Sequence, residues 1–574
     1  MDKAAVSAIL NEIGLLLELM GENPFKARAY YQAARAVDGL EGSLEGLVRE
    51  GRIDQVPGLG PALREKVSTL VTTGRLPYYE NLRAQVPPGL LTLLRVPGLG
   101  PRKVQILYRQ LGLTDLNALE DACRRHLLQN LPGFGAKTEQ KILAGLEWLA
   151  RSRGLHLWIE AWSDAEELRG ALAALAEVEA AAIAGSLRRR KEVVKDIDLV
   201  AATEKPFQVA EAFAELPPID RVNAKGGTRV AVTLKSGIDL DLRLVAPREF
   251  ASALLHLTGS REHNTALRAL AKDRGLRLNE YGLFRGEERL DLASEEEIYR
   301  ALGLDYIPPE LREDLGEVEA AAGRALPALV EADQVRGALH VHTSDSDGTA
   351  TLAEMAAAAA RLGWEYMGLG DHSQSAAYAG GLKPEELRRQ WAAIDAHNLA
   401  GGRPYLLKGI EAEIRPDGSL DYPDEILAGF DYVVASVHAG FNLDREAMTG
   451  RVVRAMRNQH VTVLGHPTGR LLLQREGYAI DLEAVLAAAA EYDVALEINA
   501  SPYRLDLDWR WVRKACDRGI VFWVNPDAHS TGELRNVPLG INVARKGWLA
   551  AAQVGNTWSL ADVRERWRRK KEKV

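Results

Sequence analysis

The stretch AGSLRRRKEVVKDIDLVAA, residues 184–202, decides the fold of the middle of the chain. Its last seven residues, DIDLVAA, alternate carboxylates with branched apolar side chains and then turn wholly apolar, which predicts a β-strand. Asp196 and Asp198 are two residues apart, so both side chains point to one face of that strand. The segment IDLDLRLV, 238–245, repeats the same pattern and predicts a second strand with its own pair of carboxylates.

Carboxylates on neighbouring strands indicate a cation site. Such groups repel one another unless cations lie between them, and in-line phosphoryl transfer uses two divalent ions held by aspartates. Just upstream, Gly185 and Ser186 are followed by Arg188 and Arg189, small residues and guanidinium groups suited to a triphosphate. An edge strand with outward charges would explain DID alone. The three segments together favour metal-dependent phosphoryl transfer.

The sequence around this stretch predicts several domains. At 574 residues the chain is too long for one core. Residues 1–150 are typical of short helices joined by tight turns. Further strands are predicted at VEAAAIAG (178–185) and TRVAVTL (228–234), followed by helix and turn over 248–310. The acidic, alanine-rich segment 311–335 predicts a helical connector.

From residue 338 a short apolar run, a polar tip and ten to fifteen helical residues recur six or seven times. This rhythm is typical of an α/β barrel or a doubly wound sheet. The basic tail RERWRRKKEKV, 564–574, is predicted to be a solvated, frayed end.

Composition excludes other classes of protein. Two cysteines, Cys123 and Cys516, cannot form a disulfide framework or a thiolate metal site, which fits a reducing cytosol. No run of 18 apolar residues occurs, so no membrane span is expected. The first 24 residues predict an amphipathic helix, not a signal peptide.

Charge is unevenly distributed along the chain. The net charge is −8, with 72 Lys and Arg against 80 Asp and Glu. Residues 1–300 hold 41 of each sign, and 51–150 hold 13 basic against 8 acidic residues. The remaining 31 basic and 39 acidic residues lie in 301–574, so that half carries all the net charge, as a carboxylate-rich cation site would.

A five-residue turn is written three times in the basic segment: VPGLG at 56–60 and 96–100, and LPGFG at 131–135. Each copy precedes a helix-like run with Lys or Arg close behind. Free backbone N–H groups at a helix N-terminus bind phosphate, and glycine lets a backbone approach closely. A plain connector would explain one copy. Three copies predict a clamp on nucleic-acid backbone without base readout; its glycines are Gly58, Gly60, Gly98, Gly100, Gly133 and Gly135.

The back half concentrates histidines. Eight of the twelve lie between residues 338 and 530, and six of these sit beside acids or glycine at the ends of apolar runs. His397 and His460 stand outside the pattern. In a barrel of parallel strands such tips share one rim. Imidazole with carboxylate and no thiolate suits Zn, Mn or Fe, and nine ligands predict two or three ions that activate water and clamp a phosphate. A lone histidine there would be structural.

The front half, residues 1–310, resembles the family X DNA polymerases. The segments GSLRR, DID, DLDLRLV, LTGSREHN and LNEYGLF appear in the family's order. The resemblance implies that Asp196 and Asp198 bind two Mg²⁺ or Mn²⁺ ions. Asp241 is the implied third carboxylate, which helps deprotonate the primer 3′-hydroxyl, and Arg243 follows it, whereas Asp239 matches no catalytic position. The residues matching nucleotide-site positions are Gly185, Ser186, Arg189, Gly259, Asn264 and Arg268.

Lys66 matches the Schiff-base lysine of that family's 5′-deoxyribose-phosphate lyase, with Lys26 and Tyr30 as neighbours. Two departures stand out. Ala62 replaces a phosphate-binding lysine near that site. His256-Leu257 replaces the aromatic pair that often precedes Thr-Gly-Ser and packs under the sugar, which puts ribonucleotide discrimination in question.

Residues 336–574 resemble the PHP (polymerase and histidinol phosphatase) domain. The resemblance implies Mn²⁺ or Zn²⁺ ions and an intact ligand set, and we expect Asp371 to orient His372 from behind. The nine implied ligands are His340, His342, Asp347, His372, Glu411, His438, His466, Asp527 and His529.

Together the resemblances imply a multidomain fold: helical helix-hairpin-helix domains, an α+β nucleotidyltransferase palm with a thumb, and a distorted TIM-like α/β barrel. The expected boundaries are a lyase-like DNA-binding domain at 1–85, helix-hairpin-helix fingers at 86–150, palm at 151–247, thumb at 248–310, linker at 311–335 and PHP domain at 336–574.

The implied function is gap-filling DNA repair synthesis with a Mn-dependent 3′→5′ exonuclease, and apurinic-site endonuclease or 3′-phosphatase work at the same cluster. The expected partners are dNTPs and gapped or primer-template DNA, for a cytoplasmic, nucleoid-associated monomer. Two alternatives stay open at this point. The PHP half could be a small-molecule phosphatase tethered to a DNA-binding front, or the polymerase core could be a decayed DNA clamp.

Overall fold

The computed structural model describes residues 1–40, 43–56 and 58–572. Pro57, inside the first repeated turn, and the last two residues of the basic tail lie outside this range. The segment up to residue 155 is helical where it is described, in agreement with the sequence. Its helices are α1 Lys3–Met20, α2 Pro24–Asp38, α3 Leu44–Arg49, α4 Pro61–Thr73, α5 Pro77–Gln85, α6 Pro88–Leu93, α7 Pro101–Leu111, α8 Leu116–Arg124 and α9 Ala136–Arg151.

Each repeated turn leads directly into a helix. Its first glycine has a left-handed backbone, with φ of 81°, 88° and 78° at Gly58, Gly98 and Gly133. Its second glycine is the N-cap of α4, α7 or α9. The apolar residue between the glycines anchors the turn, since Leu59 and Leu99 are buried. The turns therefore expose glycine backbone at helix N-termini.

The predicted central sheet forms, with strand order β2-β4-β7-β6-β5. β4 and β7 are parallel neighbours and the other pairs are antiparallel. Aliphatic residues of both strands, such as Ile197 and Leu240, are buried on the face that packs against helix. The elements are β1 His156–Leu157, α10 Trp158–Ala173, β2 Ala180–Ile183, α11 Gly185–Arg188, β3 Val193–Val194, β4 Asp196–Ala202, α12 Pro206–Ala214, β5 Ile219–Lys225, β6 Arg229–Leu234 and β7 Asp239–Val245.

The segment 248–310 differs from the prediction, which gave it helices and turns alone. It contains a small antiparallel sheet, because Asn279 accepts hydrogen bonds from the backbone N–H groups of Tyr281 and Gly282 and so closes a tight hairpin. Strands this short leave no clear alternation in a sequence. The elements are α13 Phe250–Thr258, α14 Arg261–Asp273, β8 Arg277–Asn279, β9 Gly282–Arg285, β10 Glu288–Arg289 and α15 Glu295–Ala301.

The prediction that residues 311–335 form a helical connector is also wrong. Only a short helix, α16 Glu317–Ala322, and single 3₁₀ turns form between 309 and 335. Arg312 and Glu317 are completely buried and pair with Glu295 and His263. Buried charges need partners, and these partners hold the segment against the preceding domain. It is packed structure, not a linker.

The C-terminal domain is a closed α/β barrel of short parallel strands. Two sheets, β11-β12-β13 and β14-β15-β16-β17-β18, are joined by bridges Val341–Ala528 and His372–Glu411. No helix separates β13 from β14. The strands are β11 Gly337–Val341, β12 Tyr366–Leu369, β13 Tyr405–Leu407, β14 Glu411–Glu413, β15 Val434–Ser436, β16 Val463–Leu464, β17 Ala495–Asn499 and β18 Phe522–Asn525.

Helices surround these strands, and alternate strand residues pack outward on them or inward on the barrel axis. The outer elements are α17 Leu352–Arg361, α18 Pro384–Leu399, α19 Asp424–Leu427, α20 Arg445–Met456, α21 Leu482–Glu491, α22 Trp509–Ala515 and α23 Val537–Lys546.

The basic tail is not frayed over its described part. It lies in helix α24, Leu560–Glu572, whose Val563 and Trp567 are buried in the inner cluster of the barrel. Lys570 donates to the carbonyl oxygens of Val461 and Asp493 at 2.6 and 2.8 Å. Apolar residues spaced along α24 pack against the barrel and so order a segment whose composition is mostly charged. Within the described residues, every helix is too short or too polar to cross a bilayer.

Candidate active sites

The first candidate site is the carboxylate face of the central sheet. In the register of β4 and β7, Asp196 is paired with Asp239 and Asp198 with Asp241. The intervening residues point into the core, so the acids share the other face. The structure thus brings together the three acids that sequence analysis selected.

These acids are poorly compensated. Burial raises the pKa of Asp198 to about 7, and the neighbouring charges of Asp196 and Asp241 act in the same direction. Burial likewise raises the pKa of Asp196. Oxygen-only ligands that repel one another fit hard divalent cations, whose charge would relieve the repulsion.

Gly185 is required by the close approach of Asp198. Its φ is 65°, and a Cβ at this position would lie 2.0 Å from Asp198 Oδ2. The glycine opens α11, so the first turn of this short helix lies beside the acids. The local sequence Ala-Gly-Ser therefore serves the geometry of the carboxylate pair.

A cleft of about 370 Å³ opens over Asp196 and Asp198. Arg188, the other arginine that sequence analysis selected for a triphosphate, forms an ion pair with Glu295 at 2.7 Å. Arg261 is a basic residue of the cleft that sequence analysis missed. The cleft is lined by Gly185, Ser186, Arg189, Asp196, Asp198, His256, Leu257, Gly259, Arg261, Asn264 and Arg268.

Arg189 crosses the cleft toward the next domain. Its Nη1 donates to the carbonyl oxygen of Thr258 at 2.5 Å, and its Nε donates to Glu313 at 3.1 Å. Gly259 leaves room for this guanidinium, since a Cβ there would lie 3.2 Å from Arg189 Nη1. Asn264 donates to the carbonyl oxygen of His256 at 2.7 Å, which places His256-Leu257 at the cleft.

Arg229 is a second residue that sequence analysis missed. Its Nε lies 2.6 Å from Asp241 Oδ1 at the exposed end of the site. The only signal in the sequence is an arginine that opens the strand TRVAVTL. It supplies a cation to the third carboxylate.

Lys66 lies away from this cleft, in the N-terminal helices. It is half-buried, its Nζ lies 3.4 Å from the carbonyl oxygen of Ala62, and it stands 5.1 Å above the ring of Tyr78. Lys26 faces the same ring at 6.0 Å, and Tyr30 stacks on it. The structure brings together the three residues that the lyase hypothesis names.

The second candidate site lies at the carboxyl ends of the barrel strands. His340 lies near the end of β11 and His342 directly follows that strand, His372 follows β12, and Glu411 follows β13 as the first residue of β14. His438, His466 and the Asp527–His529 pair follow β15, β16 and β18, and Asp347 reaches in from a loop. All nine predicted residues converge on one rim, because parallel strands present their ends together.

Glu411 is the centre of this cluster. Its Oε1 lies 2.9 Å from His466 Nε2, 3.1 Å from His438 Nε2 and 3.2 Å from His340 Nε2. Its Oε2 lies 2.9 Å from His372 Nδ1. Burial opposes ionisation of Glu411, but the surrounding histidines hold its pKa well below the usual range.

Two further acids bridge the other side. Asp347 Oδ1 lies 3.3 Å from His529 Nε2 and 3.7 Å from His372 Nε2. Asp527 Oδ1 lies 3.3 Å from His342 Nε2. Burial, followed by the proximity of His529, lowers the pKa of His342 to about 3, so this imidazole is neutral, as a ligand must be.

The cluster fits metal ions. Ligand atoms within 4.8 Å of one another form three groups that share His342 and His372. Several buried ring nitrogens, including both of His342 and Nε2 of His340, have no hydrogen-bond partner. An orphaned buried nitrogen is costly unless something binds it. The groups are His342, Asp347, His372 and His529; His340, His342 and Asp527; and His372, Glu411 and His438.

Backbone conformation also marks the site. His340, His466 and Asp527 have φ of 58°, 22° and 51°, backbone angles that residues other than glycine rarely adopt. Such strain persists only where surrounding structure enforces it, and it concentrates at functional sites. Three of the nine residues are therefore held in place against local preference.

A layer of acids behind the ligands was missed by sequence analysis. Glu497, completely buried on β17, accepts from His340 Nδ1 at 2.6 Å and from the backbone N–H of His466 at 2.7 Å. This leaves His340 Nε2 free to bind. The one available signal is an acid inside the apolar strand ALEIN.

Glu413 performs the same task for His438, accepting from its Nδ1 at 2.8 Å. Arg451, completely buried, in turn donates to Glu413 at 3.2 Å. Burial opposes protonation of His438, but Glu411 and Glu413 raise its pKa to about 10. Both acids fix the orientation of a ring and keep a proton on its Nδ1, so that Nε2 faces the cluster.

The expectation that Asp371 orients His372 is wrong. The Asp371 carboxylate accepts from the backbone N–H and hydroxyl of Thr343 at 2.7 and 2.8 Å, and from Gln390 at 2.7 Å. It therefore fixes the loop after β11. Adjacency in the sequence suggested a pair, but consecutive residues after a strand point to different sides.

Comparison with known proteins agrees with this architecture. Residues 1–76 match the helix-hairpin-helix domain family and residues 90–147 the SAM-like helix-hairpin-helix tandem. Residues 253–313 match the DNA polymerase beta thumb and residues 338–501 the PHP domain. A carboxylate-bearing sheet between helix-hairpin-helix domains and a PHP barrel defines a class: the chain belongs to the family X DNA polymerases with a C-terminal PHP domain.

The relative that shows this membership is the DNA polymerase/3′-5′ exonuclease PolX of Bacillus subtilis (strain 168). It is 39% identical over 567 residues, which cover 98% of this chain and 99% of the relative. A probable phosphatase of Thermoanaerobacter sp. (strain X514) is 28% identical over 41% of this chain and 95% of its own length. A ternary complex of Leishmania infantum polymerase beta matches 39% of this chain and 99% of that chain at 20% identity and a TM-score of 0.26.

Proposed function

We propose that this protein is a DNA polymerase that also removes nucleotides from DNA 3′-ends, with the two reactions at separate sites. The observation that carries the proposal is the pairing of Asp198 with Asp241 under a cleft that also holds Ser186 and Arg189. The nine-residue cluster of the barrel supports the second activity. The name of the Bacillus subtilis relative, which covers almost the whole chain, combines the same two activities.

At the first site, Asp196, Asp198 and Asp241 would hold two Mg²⁺ or Mn²⁺ ions. When bound, such ions neutralise charge that develops on the transferring phosphoryl group. Asp241, at the exposed end, would accept the proton of the primer 3′-hydroxyl. Ser186 and Arg189 would bind the triphosphate and hold it in line with that hydroxyl.

Asn264 and Arg268 line the same cleft, and Gly259 lies beside Arg189. We assign them to the sugar and base of the incoming nucleotide. His256-Leu257 lines this region where a flat aromatic pair is common in the family. A smaller and more polar floor discriminates poorly against a ribose 2′-hydroxyl.

At the second site, His340, His342, Asp347, His372, Glu411, His438, His466, Asp527 and His529 would hold two or three Mn²⁺ or Zn²⁺ ions. Bound ions of this kind activate water and stabilise a phosphodiester under attack. Glu497 and Glu413 keep His340 and His438 in the tautomer that presents Nε2. The buried carboxylates of Glu497 and Glu413 thereby hold these two ligands in place.

The three repeated turns are proposed to grip DNA. Gly60, Gly100 and Gly135 have ordinary φ values, and a Cβ at any of them would meet open space. Packing inside the protein does not explain these glycines. Close approach of a phosphate to the helix N-terminus does, together with Gly58, Gly98 and Gly133, which shape the turns.

Backbone contact of this kind favours gapped or primer-template DNA of any sequence, and hence gap filling in repair. We propose that the protein acts on DNA at the nucleoid in the cytoplasm, as a monomer. Apurinic-site cleavage or 3′-phosphatase work would use the barrel site.

A 5′-deoxyribose-phosphate lyase at Lys66 is proposed on narrower grounds. Lys66 stands over the ring of Tyr78, which Lys26 also faces and on which Tyr30 stacks, whereas Ala62 removes one expected phosphate ligand. Imine formation needs an accessible, unprotonated amine. Borohydride reduction with a 5′-deoxyribose-phosphate end should trap Lys66 on DNA, and Lys66→Ala should abolish the trap if the assignment is correct.

The test of the main proposal uses one gapped DNA with a labelled primer, Mn²⁺ and four dNTPs. Asp198→Ala should abolish extension and leave shortening of the primer. His342→Ala should abolish shortening and leave extension. Loss of both activities in either variant would contradict two separate sites.

Other outcomes identify the alternatives. If neither the protein nor its variants extend the primer, the front half is a DNA clamp. If the protein extends the primer but cleaves only small phosphate esters, the barrel is a tethered phosphatase.

A further inference from the structure

The barrel domain contacts the polymerase half at the backbone of Arg189, a residue that lines the polymerase cleft. Lys546, the last residue of α23, is 1% exposed although it carries a charge. Its Nζ donates to Glu313 Oε1 at 2.6 Å and to the carbonyl oxygens of Arg189 and Glu310 at 3.0 and 3.2 Å. Its amine also stands 4.5 Å over the ring of Trp509. Every polar contact of this amine is made to the polymerase half.

Glu313 is shared between two cations. The same oxygen that accepts from Lys546 accepts from Arg189 Nε at 3.1 Å. Lys191 is more exposed and more distant, at 3.6 Å from the other oxygen. Glu313 is largely buried, and burial opposes its ionisation, but Lys546 and Arg189 hold its pKa below the usual carboxyl value. Glu313 therefore stays ionised only while a cation lies next to it.

We infer that Lys546 is a positioning residue of the polymerase site: it takes over Glu313 when Arg189 turns to the triphosphate of an incoming nucleotide. The inference rests on the proposed role of Arg189. It assigns to the barrel domain a task in nucleotide binding that is independent of its metal cluster.

The physical reason is the cost of an orphaned buried charge. Arg189 lines the cleft with its guanidinium held between Glu313 and Thr258, so binding a triphosphate requires it to loosen its hold on Glu313. Without Lys546, Glu313 would be left buried with only the more distant and more exposed Lys191, and a poorly paired buried charge costs several times more than a surface pair is worth. Lys546 removes this penalty and also fixes the backbone of Arg189.

The experiment compares kinetics of primer extension by full-length Lys546→Met and unaltered protein, with dNTP concentration varied. Methionine keeps the length and apolar stem but removes the charge. The KM for dNTP should rise about tenfold or more, with a smaller change in kcat, because Arg189 stays with Glu313. Shortening of the primer without dNTP should be unchanged.

Arg545→Met is the matched control. Arg545 adjoins Lys546 and also bridges the two halves, through Glu310 at 2.5 Å and the carbonyl oxygen of Val330 at 3.0 Å, but it does not contact Glu313 or Arg189. It therefore weakens the same interface without touching the shared carboxylate. An equal rise of KM in both variants would overturn the inference.

A double variant tests the mechanism itself. Glu313→Gln combined with Lys546→Met removes the carboxylate that detains Arg189, so KM should return toward the unaltered value. No recovery would contradict competition for Arg189. The melting temperatures of all variants show that each is folded.

Failure of the inference and failure of the proposed function are distinguishable. Arg189→Met alone should raise KM if this arginine binds the triphosphate. If Arg189→Met raises KM and Lys546→Met does not, Lys546 has no positioning role. If Arg189→Met has no effect on an active polymerase, the proposed role of Arg189 is itself wrong.

Discussion

The two candidate sites solve the problem of gathering acids in opposite ways. In the central sheet, Asp196, Asp198 and Asp241 face one another, and among the residues that the structure describes only Asp241 forms an ion pair, with the exposed Arg229. In the barrel, three acids alternate with six histidines, and Glu411 alone contacts four of them within 3.2 Å. The first arrangement repels itself, whereas the second is held together by its own charges.

The difference has a functional meaning. A site that repels itself binds cations only when other charge, such as a triphosphate, arrives with them, which suits ions that come and go with each nucleotide. A site assembled from paired acids and imidazoles is ready before its ions bind, which suits ions that stay. Removing an acidic charge should therefore stabilise the fold at the first site and destabilise it at the second.

The largest effect is expected at Glu411. Glu411→Gln should lower the rate of 3′-end removal by about 10³-fold or more, because several ligands lose their common partner. Extension should be unaffected. The measurement is single-turnover digestion of a labelled primer, with metal content of the purified protein determined in parallel. A variant that keeps its metal and its nuclease rate would show that Glu411 is not the centre of the cluster.

The next effect is expected at Glu497, which contacts the ligands His340 and His466 and also accepts from the side chains of Asn499 and Asn525. Glu497→Gln should weaken metal binding about 10–100-fold, since an amide orients His340 less firmly. Titration of metal-stripped protein measures this directly. Glu483→Gln, an exposed acid paired with Lys514 and Arg518 on the same domain, is the control and should not change the affinity. Equal affinities in all three proteins would argue against positioning by Glu497.

Thermal stability in EDTA should separate the sites by sign. Asp198 has a raised folded-state pKa of about 7, so its ionised form destabilises the fold. Asp198→Asn should raise the melting temperature at pH 8 by roughly 4 °C or more. The gain should develop as pH rises from about 4, the usual carboxyl value, to about 7, and stay constant above.

Glu411→Gln should lower the melting temperature at pH 8, because the histidines hold the pKa of Glu411 below its usual value and its ionised form stabilises the fold. Asp239→Asn, on the exposed edge of the same strand pair as Asp198, is the control for the first site. A fall of the melting temperature in Asp198→Asn would refute the account of a self-repelling site.

The smallest effect is expected at Arg229. Arg229→Met should lower the Mg²⁺ concentration that half-saturates extension by about two- to threefold, since an exposed ion pair competes only weakly with the metal for Asp241. The difference should shrink at high salt. Arg221→Met removes the same charge from the neighbouring strand, where it bonds Asn223 and Thr233, and should have no such effect. A higher Mg²⁺ requirement in Arg229→Met would mean that the arginine assists metal binding.

Much of both sites is local information. The two-residue spacing of Asp196 and Asp198 fixes their common face, and the histidines at the ends of apolar runs reach one rim because parallel strands align. Glycines of the repeated turns likewise show their left-handed backbone through residue type. In each case the geometry depends on neighbours a few residues away.

What the sequence could not supply are the partners of these residues. Short strands such as β8 and β9 give too few positions for a period, and the burial of Arg312 and Glu317 depends on residues in another element. Asp371 shows the limit of proximity in sequence, since its contacts are with Thr343 and Gln390 and not with its neighbour His372.

The sequence by itself determined the family of motifs, the strands that carry the acids and the nine residues that converge in the barrel, because side-chain direction follows from backbone periodicity. Only the tertiary structure decided that Glu497 holds His340, that α24 closes the barrel, and that Lys546 meets Glu313 across 233 residues of chain. Such contacts arise from packing between whole elements, and packing has no period along the chain.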